Sequence, residues 1–204
     1  TGAGAMSVRD LFATNTNQGI SLLPKRIILS NGGDADHDIV FAAGNITLAD
    51  GSAQIVTTAQ TKRIDATWAA GSGAGGLAEG LTVANNTKYY SFVISNSSNV
   101  FVGIGFDSDP DAANLILDSV IVAAGGTVFT YIGGMKTNGS ANIRGFTQND
   151  QEFILNDHIL DVDDTNPGVS AVTKTLSVPN KSVKAIINAL YYDGGTDSGM
   201  RIDT

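Results

Sequence analysis

Short hydrophobic segments rich in β-branched and aromatic residues recur along the chain from Arg26 onward, separated by clusters of Gly, Asn and Asp. They include RIILS, IVFAAG, AQIVTTA, KYYSFVIS, VFVGIGF and TVFTYIGGM. Strand-like segments that return roughly every ten residues with turn residues between them are typical of sandwiches and barrels. The pattern predicts an all-β fold, an antiparallel β-sandwich or barrel-like domain with little helix.

The clearest local element is a hairpin in KYYSFVISNSSNVFVGIGF, residues 88–106. Two strand-like runs flank an Asn/Ser turn, and the side chains of Asn and Ser satisfy the backbone groups of such turns. The two strands are expected to pair antiparallel. Helix is a minor component, and PDAANLILDS, residues 110–119, is the place where one helical turn is expected.

Three segments are predicted along the chain. Residues 1–25 form a lead-in, residues 26–160 form the β-rich domain, and residues 161–204 form a second small β unit. The polar stretch DDTNPG, residues 163–168, marks the joint between the two β units. The chain ends soon after a strand-like run, so the second unit is expected to be incomplete.

Composition narrows the classes of partner. The 204 residues carry a net charge of -8 and include no cysteine. An acidic surface disfavours nucleic acid and anionic membranes, which attract basic surfaces. The apolar runs are interrupted by glycines and fall short of the ~20 residues of a membrane span. Without disulfides, stability has to come from burial or from association of chains.

Acidic clusters are the candidates for a metal site, because Ca²⁺ binds six to eight oxygen ligands. In DSDPDAANLILD, Asp118 occupies the twelfth position of an EF-like loop, but Ala112 stands where that loop needs glycine. The competing interpretation is that these residues cap turns, and we favour it. The clusters are Asp34, Asp36 and Asp38; Asp107, Asp109 and Asp111; and Asp161, Asp163 and Asp164.

Other catalytic constellations are weaker. His37 with Asp34, or His158 with Asp157 and Asp161, has the residue types of acid–base chemistry, but no nucleophile elbow accompanies either pair. A carboxylate pair for glycoside cleavage would consist mostly of aspartates, since Glu79 and Glu152 are the only glutamates. GSGAGG lacks the Lys-Ser/Thr of a phosphate loop. The sequence therefore assigns no catalytic, cofactor-binding or metal-binding residue, and the chain is not expected to be an enzyme.

Aromatic side chains that stack on sugars are the remaining candidates for a binding site, although packing is the commoner role of such residues in a β protein. They are Trp68, Tyr89, Tyr90, Tyr131, Tyr191 and Tyr192.

The stretch TKRIDATWAAGSGAGGLAEG, residues 61–80, holds the only tryptophan and a glycine cluster. We expect TKRIDATW to continue from the AQIVTTA strand, with Asp65 pairing with Lys62 or Arg63. Trp68 is predicted to be buried, and the glycines are predicted to serve a structural loop through close chain approach and positive φ.

Five segments follow one another along the chain: LSNGGDADHDIVFAAG, TKRIDATWAAGSGAGGLAEG, TKYYSFVI, ANIRGFTQNDQEFIL and ILDVDDTNPGVSAVTKTLSVP. Taken in order, they resemble a β-rich domain of tail-fibre and receptor-binding proteins of tailed bacteriophages and prophages. The resemblance covers about residues 28–179. It departs from that family at FTYIGGMKT, residues 129–137, where the family usually has an Arg-Arg-Ile-Gly-Ser run.

The resemblance implies a structural and adhesive role in the virion, in a homo-oligomer, commonly a trimer, with other tail or baseplate proteins as partners. It also implies host attachment through a surface polysaccharide or an outer-membrane protein. It supplies no catalytic residue. A carbohydrate-binding β-sandwich and, less favoured, a polysaccharide depolymerase are the alternatives.

Overall fold

The computed structural model describes residues 26–48, 51–56, 58–149, 152–157, 159, 176 and 178. Two short helices and a set of mostly short strands make up this part of the chain. The helices are α1 Ala113–Leu117 and α2 Ser119–Ala123. The strands are β1 Leu29–Asn31, β2 Asp38–Phe41, β3 Gly44–Thr47, β4 Ala53–Val56, β5 Gln60–Thr67, β6 Ala74–Leu77, β7 Lys88–Ser95, β8 Phe101–Asp107, β9 Val128–Lys136, β10 Phe146–Asn149 and β11 Glu152–Leu155.

The main element is a seven-stranded sheet with the order β1-β2-β5-β6-β8-β7-β9, and β3-β4 and β10-β11 form two-stranded sheets. The all-β prediction with little helix is confirmed. The sheet is mixed, because β6 runs parallel to both β5 and β8. Hydrophobic alternation identifies strands but does not fix the direction of their neighbours, so the parallel pairs were not expected.

The predicted hairpin is confirmed: β7 and β8 pair antiparallel, with Phe92 opposite Gly105 and Val93 opposite Ile104. Strand β9 pairs antiparallel with the other side of β7. Both faces of β7 are covered, and from Tyr89 onward every residue of the strand is buried. A strand covered on both faces reads as a nearly continuous apolar run, which explains YYSFVIS.

Alternate residues of β7 point into two hydrophobic clusters on opposite faces of the sheet. Tyr89 and Val93 belong to the larger cluster, together with β-strand residues such as Ile39, Phe41 and Phe106. The smaller cluster lies on the other face, where the two helices pack. Its buried members are Trp68, Ala78, Tyr90, Phe92, Ile94, Ala112, Leu115 and Ile121.

The glycine-rich stretch differs in part from its prediction. TKRIDATW does not continue the AQIVTTA strand, because β4 pairs with β3 and β5 belongs to the large sheet. Residues 74–77 of the expected loop form strand β6. A Cβ on Gly75 would overlap the backbone carbonyls of Ala66 and Thr67 in β5, so glycine lets strands β5 and β6 approach closely. Trp68 is 2 % exposed, which confirms its predicted burial.

The segment boundaries predicted near residues 25 and 160 stay predictions. The lead-in, residues 1–25, lies outside the described residues, as does the second β unit, residues 161–204, apart from Leu176 and Val178. In the described ranges no helix has the length and apolar character needed to cross a membrane.

Candidate interaction surface

The two short helices expose a set of large apolar side chains, which we call the helical patch. It consists of Ile116, Leu117, Val120 and Val122, which are 47 %, 81 %, 45 % and 56 % exposed. Among the residues whose side chains are described, Val100 in the turn before β8 and Ile154 on β11 are also exposed. Single exposed apolar residues are normal, whereas apolar patches mark sites of interaction, and here four exposed apolar side chains lie within residues 116–122.

The helices are fixed by a buried face. Helices of five residues are not stable alone, so they depend on tertiary packing. Leu115 and Ile121 are fully buried in the smaller cluster. A Cβ on Gly105 would come within 2.7 Å of Leu115 Cδ2, and one on Gly126 within 2.6 Å of Ile121 Cγ2. The absence of side chains at these glycines lets the helices lie close to the sheet.

Asp107 caps helix α1 from the end of strand β8. Its carboxylate is fully buried and its Oδ2 accepts hydrogen bonds from the backbone N–H groups of Asn114 and Leu115, both at 2.9 Å. Oδ1 accepts from Asn114 Nδ2 at 2.6 Å and from the Asp109 N–H at 2.8 Å. The residue before the helix, Ala112, has φ 60° and no side-chain cap to offer. Asp107 therefore satisfies N–H groups that a local cap would otherwise bind.

Asp118 and Glu79 fix the start of helix α2. Asp118 is 1 % exposed, and its Oδ1 accepts from the N–H groups of Val120 and Ile121 at 3.0 and 3.1 Å. Its Oδ2 accepts from the Glu79 N–H at 2.8 Å. Glu79 Oε2 in turn accepts from Ser119 Oγ at 2.7 Å and from the Ser119 N–H at 3.0 Å. These hydrogen bonds, the side-chain one above all, hold the pKa of Glu79 below its usual range.

The second acidic candidate site is thus a set of helix and turn caps. The carboxylate oxygens of Asp107 and Asp118 accept hydrogen bonds from backbone N–H groups. Asp109 Oδ1 accepts from the Asp111 N–H at 2.8 Å. In the described part of the chain no three His, Asp or Glu side chains form a group that suits a metal ion. The interpretation of these aspartates as caps, already favoured from the sequence, accounts for their positions.

The first acidic cluster lies in the turn between β1 and β2 and at the first residue of β2, Asp38. His37 Nδ1 lies 3.0 Å from Asp34 Oδ2, with the two side chains 32 % and 58 % exposed. This hydrogen bond raises the pKa of His37 and lowers that of Asp34. Asp34 Oδ1 also accepts from the Asp36 N–H at 3.2 Å, and Asp38 Oδ2 accepts from the Asp34 N–H at 3.3 Å. The pair predicted from the sequence exists, as part of an exposed turn.

The third cluster, Asp161, Asp163 and Asp164, lies outside the described residues, as does His158. Asp157 is described and exposed, but both partners predicted for it, His158 and Asp161, lie outside the described residues, so this pairing stays a prediction. Glu152 is exposed on strand β11.

The described aromatic candidates are largely buried. Trp68, Tyr89 and Tyr90 are 2 %, 1 % and 2 % exposed, so they offer no face for stacking on a sugar. Trp68 Nε1 donates to the Ile104 carbonyl at 2.9 Å. Tyr131 is half-buried against Tyr90 and Phe92, and burial raises its pKa to about 12. Tyr191 and Tyr192 lie outside the described residues.

The charged residues of β5 separate onto two faces. Arg63 pairs with Asp65 through Nη2 and Oδ2 at 2.9 Å on the exposed face, which is one of the two pairings expected. Lys62 is 1 % exposed. Its Nζ donates to the carbonyls of Ala69 and Gly75 and lies 5.4 Å from the centre of the Trp68 ring. Burial lowers the pKa of Lys62 to about 8.

Sequence reasoning missed both the helical patch and the burial of Lys62. The signal for the patch is the density of apolar residues in LILDSVIV, which exceeds what one buried helix face requires. The signal for Lys62 is the two-residue period of a strand, which places Lys62 on the same face as Ile64.

Comparisons with known proteins do not extend this picture: no protein-family model, no curated protein and no solved structure matches the chain. The function has to be argued from the surface itself.

Proposed function

We propose that the chain is a structural and adhesive component of a bacteriophage tail, a domain of a tail fibre or receptor-binding protein that acts in host attachment. In this proposal the helical patch is a contact surface for another protein of the tail. The chain works in the virion, as part of a homo-oligomer, with a host polysaccharide or outer-membrane protein as the eventual receptor.

The observation that supports the proposal is the exposure of four large apolar side chains on two helices whose N-termini are capped by buried carboxylates. Complete burial of one such side chain stabilises by about 1.5 to 3 kcal/mol, and these are already about half buried, so covering the patch is worth on the order of 4 kcal/mol. An exposed apolar surface of this kind is unfavourable in water, and it is typical of proteins that bind other proteins. Two buried carboxylates, Asp107 and Asp118, hold that surface in place.

The use of the acidic residues supports a binding role over a catalytic one. Five of the carboxylates that were candidates for chemistry accept hydrogen bonds from backbone N–H groups of turns and helix ends; they are those of Asp34, Asp38, Asp107, Asp109 and Asp118. A side chain occupied in this way positions backbone. The proposal therefore gives the chain no reaction to catalyse.

The resemblance to tail-fibre domains supplies the particular setting. Because a chain without cysteine gains no stability from disulfides, association of chains is a natural source of it. Light scattering on the purified chain at micromolar concentration tests this part. A trimer of about 63 kDa, three times the 21.0 kDa chain, is expected. A stable monomer at every concentration up to 100 µM would contradict the oligomer.

A parallel assay separates this proposal from its alternatives. The purified chain is incubated with bacterial surface polysaccharides, and reducing ends are measured. No release is expected from a structural and adhesive domain. Release that a single Asp→Asn change abolishes would replace the proposal with a depolymerase.

A further inference from the structure

We propose that the helical patch receives an amphipathic protein segment whose apolar side chains are flanked by lysine or arginine. This inference rests on the proposed function, since it names the chemistry of the partner at the same surface. The charges around the patch and the shape of the surface beside Leu117 indicate this kind of partner.

Acidic side chains lie on the segments that adjoin the helices, and we call them the rim of the patch. Glu79 and Asp111 are exposed and Asp109 is half-buried, and all three lie on segments that adjoin the helices. Residues 107–127 include no lysine or arginine. An apolar surface whose rim carries negative charge favours a partner whose rim carries positive charge, and it disfavours partners of like charge.

The charge of Glu79 is fixed in position. Ser119 donates two hydrogen bonds to one carboxylate oxygen, Oε2. A carboxylate that accepts such bonds favours its ionised form, and the other oxygen is not used in either bond. Glu79 therefore presents an oriented negative charge at the edge of the patch.

A small open depression joins this charge to the apolar surface. It is lined by Glu79, Asn114, Leu117 and Asp118. The lining suits the end of a long cationic side chain, because the aliphatic stem of a lysine or arginine lies against an apolar side chain while its charged head meets a carboxylate. Leu117 and Glu79 provide these two contacts.

Charge also disfavours the same patch of a second copy as the occupant. Two copies facing each other through this patch would bring the acidic side chains of their rims together. Like charges at an interface oppose association. A cationic amphipathic segment supplies both the apolar cover and the opposite charge.

The test is an NMR titration of the ¹⁵N-labelled chain with an amphipathic helical peptide of leucine and lysine. The control is a peptide of the same pattern with glutamate in place of lysine. Saturable shifts of the amides of residues 113–123 and of Glu79 are expected with the lysine peptide, with an affinity at least tenfold higher than with the glutamate peptide. Raising the salt from 50 to 500 mM is expected to reduce that difference.

Variants separate the apolar from the charged contribution. Leu117→Ser is expected to weaken binding of the lysine peptide about tenfold. The control is Val100→Ser, which changes an exposed apolar residue in the turn before β8 and is expected to leave the affinity unchanged. Glu79→Gln keeps an acceptor for Ser119 and is expected to weaken binding several-fold. The NMR spectrum of each variant shows whether it is folded. If Glu79→Gln does not fold, Asp111→Asn is used in its place to remove a charge from the rim.

Equal affinity for the two peptides, shifts confined to other surfaces, or no saturation at millimolar peptide would overturn the inference. These outcomes leave the proposed function open to its own tests. Conversely, absence of the chain from phage particles would refute the proposed function whatever the peptide does.

Discussion

Replacing Lys62 by methionine tests the account of the buried ammonium. The side chains have similar lengths, so the variant removes the charge and the two hydrogen bonds to Ala69 and Gly75 while filling most of the space. In the wild type the folded state releases the lysine proton at about pH 8, whereas the unfolded chain releases it at its ordinary 10.5. The two proteins are therefore expected to differ in how stability depends on pH.

The direction follows from proton linkage. Between about pH 8 and 10.5 the unfolded state holds a proton that the folded state has released, so the contribution of Lys62 to the free energy of unfolding rises with pH. A gap of about 2.5 pH units at 1.36 kcal/mol each gives about 3 kcal/mol. This is an upper bound, because the two carbonyl acceptors and the Trp68 ring favour the charged form. Neutral lysine still has hydrogens for both carbonyls.

The assay is urea denaturation of wild type and Lys62→Met from pH 7 to 10.5, followed by tryptophan fluorescence. The free energy of unfolding of wild type relative to Lys62→Met is expected to increase across this range by up to about 3 kcal/mol. Taking the difference cancels groups common to both, including tyrosines. Lys88→Met, which removes a half-buried lysine from the same sheet, is the control and is expected to keep the rise.

Parallel pH curves for wild type and Lys62→Met would refute the reasoning. They would mean that Lys62 holds its proton equally in both states, so that its burial carries no electrostatic cost.

Three further predictions concern close approach, capping and the exposed pair. Gly75→Ala is expected to lower the free energy of unfolding in urea by about 3 kcal/mol or more, since the new Cβ would overlap backbone of β5. The control is Gly33→Ala, where the Cβ meets nothing within 4 Å, and its free energy of unfolding should stay within about 0.5 kcal/mol of wild type. Equal effects of the two changes would contradict the close approach. Asp107→Ala should lower the free energy of unfolding by on the order of 3 kcal/mol, because it leaves buried N–H groups without their acceptor. A loss of less than about 1 kcal/mol would argue against its capping role. Asp34→Asn should lower the pKa of His37 in an NMR titration, because the hydrogen bond that raises this pKa is weakened. The contribution of this bond to the stability of the folded protein is complete below pH 6.5 and is lost as the pH rises through the raised folded-state pKa. An unchanged His37 titration would exclude the contact in solution.

Local pattern predicts much of the sheet. The hairpin of β7 and β8 follows from two strand-like runs around NSSN, and burial of Trp68 follows from its place beside an apolar strand. The parallel placement of β6 does not follow from pattern, because it depends on which strands meet after the glycine-rich connection. Neighbour choice is a property of the whole sheet, and the two-residue period contains no information about it.

The candidate site was less accessible from sequence than the sheet. The spacing of Asp107 and Asp118 suggested an ion loop, but their oxygens bind helix N–H groups that only the folded chain brings to them. The patch itself depends on which of the apolar residues between 113 and 123 face the sheet. Leu115 and Ile121 take the buried positions, and the remaining apolar residues are left on the outside.

The proposed role in a phage tail is tested most directly by immunogold electron microscopy with antibodies against the purified chain, applied to phage particles induced from the organism that carries the gene. The account predicts gold particles at the tail or its fibres, and none on capsids or on particles from a strain in which the gene is deleted. Particles without label, with the chain found only in the particle-free fraction, would contradict it.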